Sequence, residues 1–496
     1  MMRCLLVLAF SLSVGWAQYF GGYSCEDGRD VMVHLFEWKW SDIASNCHRL
    51  AQLGYCAVQV SPPHEHAVYA NNDPPYPWWQ RYQPVSYIVT SRSGDEAAFQ
   101  NMVSTCNAAG VKIYVDTVIN HMTAGGSGTG SAGSSWNGGD DYTNIGQDYP
   151  SVPFGPGDFN GADNCPSSSG NIDDYQNVDQ VRNCRLVGLR DLRLGDDYPR
   201  DMVRGYMQKV IDWGVAGFRI DAAKHMWPGD LGSIYGGLSG SPFIYQEVID
   251  QGGEPITAGE YTSMGRVTEF KYGLSLSDCV RAANGQKLAY LSNFGEDWGF
   301  IGGLSAVVFV DNHDNQRGHG GGGGVLTHKE PRDYKVANAF MLAWPYGYPR
   351  VMSSYSFENA DAGPPSDGSG NTNDVQCFDG DWVCEHEWRQ IHNMVGLHNA
   401  AVGEPVANWW DNGNMAIAFS RGAKAFVFIN KEEFSVTQTF QTGLPAGEYC
   451  DVISCDGNLP PCTGGECLGS ISVDDAGTAT VTISNTDTDP IRAYHV

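Results

Sequence analysis

Val215-Ala-Gly-Phe-Arg-Ile-Asp221 is an apolar run of strand length that stops on a carboxylate. Before it, at 200–213, apolar residues recur every third or fourth position, the spacing of an amphipathic helix. Working outward, similar strand-like runs occur at 31–36, 56–60, 111–116, 242–247, 266–270, 306–310 and, more weakly, 349–352. Helical patterns lie between them, as at 42–53 and 96–109. Eight strand–helix alternations imply a parallel sheet closed on itself. The expected class is therefore α/β, a (β/α)8 TIM barrel. Residues 121–192, rich in Gly, Ser, Asn and Asp, break the rhythm and read as a small domain inserted after the third strand. After about residue 403 the period falls to two, at 415–419, 425–429 and 478–483, which implies a separate C-terminal antiparallel β domain. The expected bounds are 18–120 with 193–402 for the barrel, 121–192 for the insertion and 403–496 for the β domain.

The charge balance narrows the partners. In 496 residues, 30 Lys and Arg oppose 57 Asp and Glu, a net charge of −27. Such a field repels phosphate backbones and anionic headgroups, so neither nucleic acid nor a membrane surface is expected as a partner. A basic start, the apolar run 4–14 and Gly15-Trp16-Ala17 read as a cleaved export signal over 1–17, too short to span a bilayer. A secreted, extracellular protein is expected, with most of its 14 cysteines paired. Cys165/Cys184, Cys377/Cys384 and the quartet Cys450, Cys455, Cys462 and Cys467 are close enough in sequence for local staples; zinc is the alternative for the quartet. Losing Cys4 with the signal leaves an odd number, so one thiol is expected free, and Cys279 is isolated. There is no Asn-x-Ser/Thr sequon. Gly128-Thr-Gly-Ser-Ala-Gly133 fits G-x-G-x-x-G but opens no helix, and so is not read as a dinucleotide site. The tract Gly318–Gly324 reads as a mobile loop able to cover a site.

Three runs end in carboxylates: Asp221, Glu247 in Phe243-Ile-Tyr-Gln-Glu247, and Asp314 in Phe309-Val-Asp-Asn-His-Asp314. In a parallel barrel these ends converge on the face where active sites are built. Close carboxylates can cleave a glycosidic bond, one attacking while the other donates a proton. Strand-end Asp also serves as a helix N-cap; three together, each beside a distinctive neighbour, favour chemistry. Pro77-Trp-Trp-Gln-Arg-Tyr82 adds Trp78, Trp79 and Tyr82, flat rings of the kind that stack on sugars, in a Pro- and Asn/Asp-rich loop that argues for exposure.

His34-Leu-Phe-Glu-Trp38, Asp116-Thr-Val-Ile-Asn-His121, Gly217-Phe-Arg-Ile-Asp-Ala-Ala-Lys-His225, Gln246-Glu-Val-Ile-Asp250 and Phe309-Val-Asp-Asn-His-Asp314 strongly resemble the animal members of the α-amylase family of glycoside hydrolases. The resemblance runs from about Gln18 to the C-terminus, through Asn393-Met-Val-Gly-Leu397 and Gly443-Leu-Pro-Ala-Gly-Glu-Tyr-Cys450. It implies Asp221 as nucleophile, Glu247 as general acid/base and Asp314 as a third carboxylate that holds substrate hydroxyls. It further implies that Glu247 carries a proton near neutral pH, through burial or nearby negative charge. The implied substrate contacts are Trp78, Trp79, Tyr82, Gln83, Asp116, His121, Tyr175, Lys224, His225, His313 and His319.

The same resemblance implies a Ca²⁺ site at Asn120, Arg182, Asp191 and His225, with Arg182 and His225 ligating through their carbonyls. An all-oxygen set suits a hard cation. It also implies chloride at Arg219, Asn312 and Arg350, although both arginines could instead be paired to the carboxylates above them. Cys47 is implied to pair with Cys106, whereas Thr90 stands where vertebrate relatives carry a cysteine, and Cys25, Cys56, Cys455 and Cys467 look additional. The activity implied is endo-acting, retaining hydrolysis of α-1,4-glucosidic bonds in starch and glycogen by a monomer. The alternatives are an exo-acting α-glucosidase or transglycosylase and, from another class, a non-catalytic carbohydrate-binding protein.

Overall fold

Barrel strands are covered on both faces, so they read as continuous apolar runs rather than alternating ones. The computed structural model describes Cys25 and residues 28–139, 146–320, 323–455, 467 and 469–496; the export signal expected at 1–17 and Cys462 lie outside them. The first half of the chain runs β1 (Met32–Leu35), α1 (Trp40–Gln52), β2 (Ala57–Val60), α2 (Glu96–Ala108) and β3 (Lys112–Thr117). A hairpin of β4 (Gly126–Thr129) and β5 (Ser135–Gly139) and the short α3 (Val178–Asn183) follow in the irregular segment. The alternation resumes with α4 (Asp197–Asp212), β6 (Gly217–Ile220), α5 (Pro228–Tyr235), β7 (Phe243–Gln246), β8 (Arg266–Thr268), α6 (Phe270–Arg281), β9 (Ala306–Val308), α7 (Pro331–Ala343), β10 (Tyr348–Ser353) and α8 (Arg389–Ala400).

Strands β1, β2, β3, β6, β7, β8, β9 and β10 pair in that order, all parallel, and β10 returns to β1 with Met32 opposite Arg350. The eight runs of the sequence are thus the eight staves. Gly217 is required where β6 meets β7, since a Cβ there would lie 2.5 Å from the Phe243 carbonyl oxygen. The helices turn one apolar stripe to the barrel: Trp40, Ile43, Ala44, Cys47 and Leu50 are the buried face of α1. Asp95 caps α2 by accepting from the Ala98 N–H at 2.9 Å. Strand starts supply Met32, Ala57, Phe243 and Tyr348 to an apolar plug at the N-terminal end of the barrel. Above the plug the interior turns polar, with Gln59, Asp116, Arg219 and Arg350 all buried.

The C-terminal part holds β11 (Val406–Asp411), β12 (Ala416–Arg421), β13 (Ala425–Asn430), β14 (Val436–Gln441), β15 (Gly447–Cys450), β16 (Ser470–Val473), β17 (Thr478–Ile483) and β18 (Ile491–His495). A sheet ordered β11-β12-β13-β18 and the pairs β14–β17 and β15–β16 are all antiparallel. They enclose a second core containing Phe426, Phe428, Phe440 and Ile483.

Disulfides join Cys165–Cys184, Cys377–Cys384, Cys47–Cys106, Cys25–Cys56 and Cys450–Cys467. Cys455 is disulfide-bonded as well, so the zinc alternative for the C-terminal quartet does not hold. Cys279 is a buried free thiol, as its isolation implied. No helix among the described residues is long and apolar enough to cross a membrane.

Candidate active site

Parallel register sets Asp221 and Glu247 side by side. β6 and β7 pair with Ile220 opposite Gln246, and the next residue on each strand is the carboxylate. Both are almost buried, at 7% and 5% exposure. Asp314 reaches the same rim from the turn beyond β9. Arg219 lies beneath and binds Asp116, Asp221 and Glu247 at once. Its Nη1 donates to Asp221 Oδ1 at 2.8 Å and to Asp116 Oδ1 at 2.6 Å, and its Nη2 donates to Glu247 Oε1. The Ala222 N–H donates to Glu247 Oε2 at 3.0 Å. That amide is presented by a left-handed residue, φ +49° at Ala222, a strained conformation kept at a functional position.

Burial raises Asp221, Asp314 and Asp116. It pushes Asp221 well above the usual carboxylate range; Arg219 opposes this, while Glu247 and Asp116 reinforce it. Asp314 is pushed up to about 7 by burial and by Glu247, against Arg219 and Arg317. Asp314 therefore keeps its proton to near neutral pH. Burial also lowers His121 and His225 to about 4, and His313 well below its usual value, so all three imidazoles are neutral near pH 7.

Above the floor opens a cleft of ≈ 600 Å³. Trp78, Trp79, Tyr82, Gln83, His121, Tyr175, Lys224, His225, His313 and His319 line it together with Asp221, Glu247 and Asp314. Tyr82 stacks on His313 with ring centroids 5.0 Å apart, and Tyr175 stands 39% exposed at the mouth. Asp116 departs from its expected role as a contact: it is fully buried and does not line the cleft. Its Oδ2 instead accepts from Tyr82 Oη at 2.9 Å, so it holds a wall residue from below.

Among further lining residues, sequence reading missed Leu186, Val187, Leu189, Ile249, Glu254 and Asp361. Val187, 82% exposed with φ +45°, gave no signal beyond being apolar in a polar segment. Glu254 is tied to Lys224 by an ion pair that sequence distance conceals.

The ion sites implied by resemblance are testable on the donors present. Asn120, Arg182 and His225 line a cavity of ≈ 270 Å³ where the irregular segment meets the barrel. Asp191 is 3% exposed, and burial pushes its carboxyl well above the usual range. One desolvated carboxylate among neutral oxygens is a set that a hard cation would relieve. No group of three or more His, Cys, Asp or Glu gathers as a metal cluster among the described residues, and Asp191 itself does not line that cavity. Within the barrel, Arg219 is ion-paired to the carboxylates, but Arg350 is not. Its Nη1 donates to Gln59 at 3.0 Å, while its buried Nε and Nη2 find no acceptor among the described residues. Asn312 Oδ1 accepts from the backbone of Asp314 and Asn315 at 3.1 and 2.7 Å.

A parallel barrel that gathers buried carboxylates under an aromatic-walled cleft is built as a glycoside hydrolase. Residues 40–236 match the alpha amylase catalytic domain, and 407–496 the alpha amylase C-terminal all-beta domain. The chain is 52% identical to an alpha-amylase of Pecten maximus, over 100% of this chain and 98% of that one. It is 50% identical to alpha-amylase 1B of Homo sapiens, over 99% of each. A solved Eisenia fetida alpha-amylase I, a Glu-to-Gln mutant in complex with maltohexaose, superposes with a TM-score of 0.92 at 56% identity, covering 97% of this chain and 99% of that one. The chain belongs to the α-amylase family. Its activity is that of an endo-acting, starch-hydrolysing glycosidase.

Proposed function

We propose that the enzyme cleaves α-1,4-glucosidic bonds of starch and glycogen with retention, by double displacement. Asp221 attacks the anomeric carbon while Glu247 gives its proton to the departing glycosidic oxygen, leaving a glycosyl–Asp221 ester. Glu247 then takes a proton from water, the water oxygen bonds to the anomeric carbon, and Asp221 is released as carboxylate. Asp314 grips hydroxyls of the distorted sugar. The observation that carries this reading is Arg219, one guanidinium bonded at once to Asp221 and Glu247. A shared guanidinium holds the two acids side by side, which supports the close pair that a retaining mechanism uses.

Asn120, Asp191 and the carbonyls of Arg182 and His225 would hold Ca²⁺, which supplies cohesion between the insertion 121–192 and the barrel of 18–120 and 193–402. Arg219, Asn312 and the unsatisfied Arg350 would hold Cl⁻, which supplies a negative field beneath the acids. Removal of 1–17 would release a secreted, extracellular monomer with 403–496 as its β domain; the disulfides support that compartment.

The test is Glu247→Gln assayed on soluble starch, with product sizing and NMR of the first anomer formed. General acid–base assistance is worth roughly 10²–10⁴-fold, so turnover should fall at least that far while maltooligosaccharide binding persists. A variant retaining more than about a tenth of the wild-type rate, or a wild-type product that first appears as the β-anomer, would overturn the assignment.

A further inference from the structure

We propose that Arg317, three residues beyond Asp314, is a positioning residue that locks the His313–Asp314 segment and Trp78 to one another. The proposal rests on the role given to Asp314 above. Arg317 is 7% exposed and does not line the cleft. Its Nη1 donates to the His313 carbonyl at 3.0 Å. Its guanidinium carbon lies 4.1 Å from the ring centroid of Phe357, 4.8 Å from Tyr355, 5.1 Å from Phe36 and 5.8 Å from Trp78.

Those rings come from three separate parts of the rim: the end of β1, the loop after β2 and the loop after β10. A planar cation lying over π faces is attracted to several rings at once, and the attraction is strongest where water is excluded. Arg317 is therefore the point at which three loops are fastened to the catalytic turn. Beside it, Gln316 Oε1 accepts from Ser354 Oγ at 2.8 Å, a second tie between the turn and the end of β10. His313, whose carbonyl is held, packs edge-on against Trp78 with centroids 5.5 Å apart, and Asp314 is the next residue. If the guanidinium is lost, the carbonyl is freed and the carboxylate and the aromatic wall drift apart. Misplacement of a reacting group by about 1 Å can cost ~10²-fold in rate. Trp79, Tyr175 and Lys224, elsewhere in the cleft, do not touch Arg317 and continue to hold the glucan.

The test measures kcat and KM on a soluble maltooligosaccharide for Arg317→Met, Arg317→Lys and Phe357→Leu, with Asp314→Asn as reference and circular dichroism to count folded protein. For Arg317→Met, kcat per folded molecule should fall about 10–100-fold while KM stays within about threefold. Arg317→Lys, which restores a cation without the planar fork, should recover part of that loss. Should Arg317→Met not fold, Phe357→Leu removes the nearest ring, keeps the charge, and must lower kcat at unchanged KM. A folded Arg317→Met with kcat within twofold of wild type, a loss fully explained by the unfolded fraction, or a Phe357→Leu of wild-type kcat would overturn the proposal. An active Asp314→Asn would instead remove the role given to Asp314, so the two failures are distinguishable.

Discussion

Asp314 shows at the scale of one residue what the site costs the fold. Burial, reinforced by Glu247, lifts its carboxyl from 3.8 to about 7, so in the native state its proton is lost only near neutrality. The folded form therefore binds more protons than the unfolded form between those two values, and stability falls as pH rises through that window, then stays level above it. Asp314→Asn removes the ionisation. It should be more stable than wild type at pH 8, by about 1 kcal/mol or more, and the difference should vanish near pH 4, as read from melting curves across pH. Equal melting of the two proteins at pH 8 would contradict the burial argument. Asp221 and Glu247 were legible in the sequence because each stands just beyond a strand and so reaches the rim. Asp116 lies within β3, opposite Arg219 in register, so it meets Arg219 below the rim rather than reaching over its edge. Arg317 was not legible, since its cage is drawn from residues 36, 78, 355 and 357, which only the closed barrel brings together.

At the scale of elements, the barrel strands were legible because parallel staves, buried on both faces, leave unbroken apolar runs. The segment 121–192 showed only as an interruption. Its hairpin is written in Gly, Ser and Asn, and Gly128–Gly133 turns out to span the end of β4 and the turn after it, in keeping with a string that opens no helix. The segment packs Tyr149, Phe154 and Phe159 into the main core, but its irregular backbone is further tied by cross-links. The Cys165–Cys184 bond supplies one. The other would be the cation between Asn120 and Asp191, where burial otherwise holds Asp191 well above its usual range. A ligand bound only by the native state stabilises it by about 2.7 kcal/mol at a hundred times its Kd. Exhaustive chelation should therefore lower the melting temperature and the activity together, and calcium, but not magnesium, should restore both. If elemental analysis showed the metal gone while melting and activity were unchanged, the assignment of Asn120 and Asp191 would fail.

At the scale of the whole molecule, the change of period near residue 403 was legible, but the fastening of the β domain to the barrel was not. A sequence can show that two units differ in pattern without showing how their surfaces meet. Arg421, at the end of β12, is buried, and burial lowers it to about 10, yet three carbonyls surround it. It donates to Ala343 O at 2.6 Å from the end of α7, to Ala401 O at 2.9 Å beyond α8, and to Glu404 O at 2.9 Å. Lys431 reaches the Val280 carbonyl at 2.7 Å and Asp333 at 2.5 Å, and Asn393 of α8 donates to Val452 O at 2.8 Å. Barrel and β domain thus share buried polar bonds whose loss would leave carbonyls unpaired on both sides. Calorimetry should accordingly show one cooperative transition rather than two. Arg421→Ala removes three charge-assisted bonds and strands their acceptors, so it should destabilise that single transition by ~2–4 kcal/mol. Because neither Arg421 nor its partners Ala343, Ala401 and Glu404 line the cleft, kcat of the folded variant should be unchanged. Two separate transitions in the wild type, or an Arg421→Ala protein that melts as the wild type does, would show that the domains are joined only by the chain.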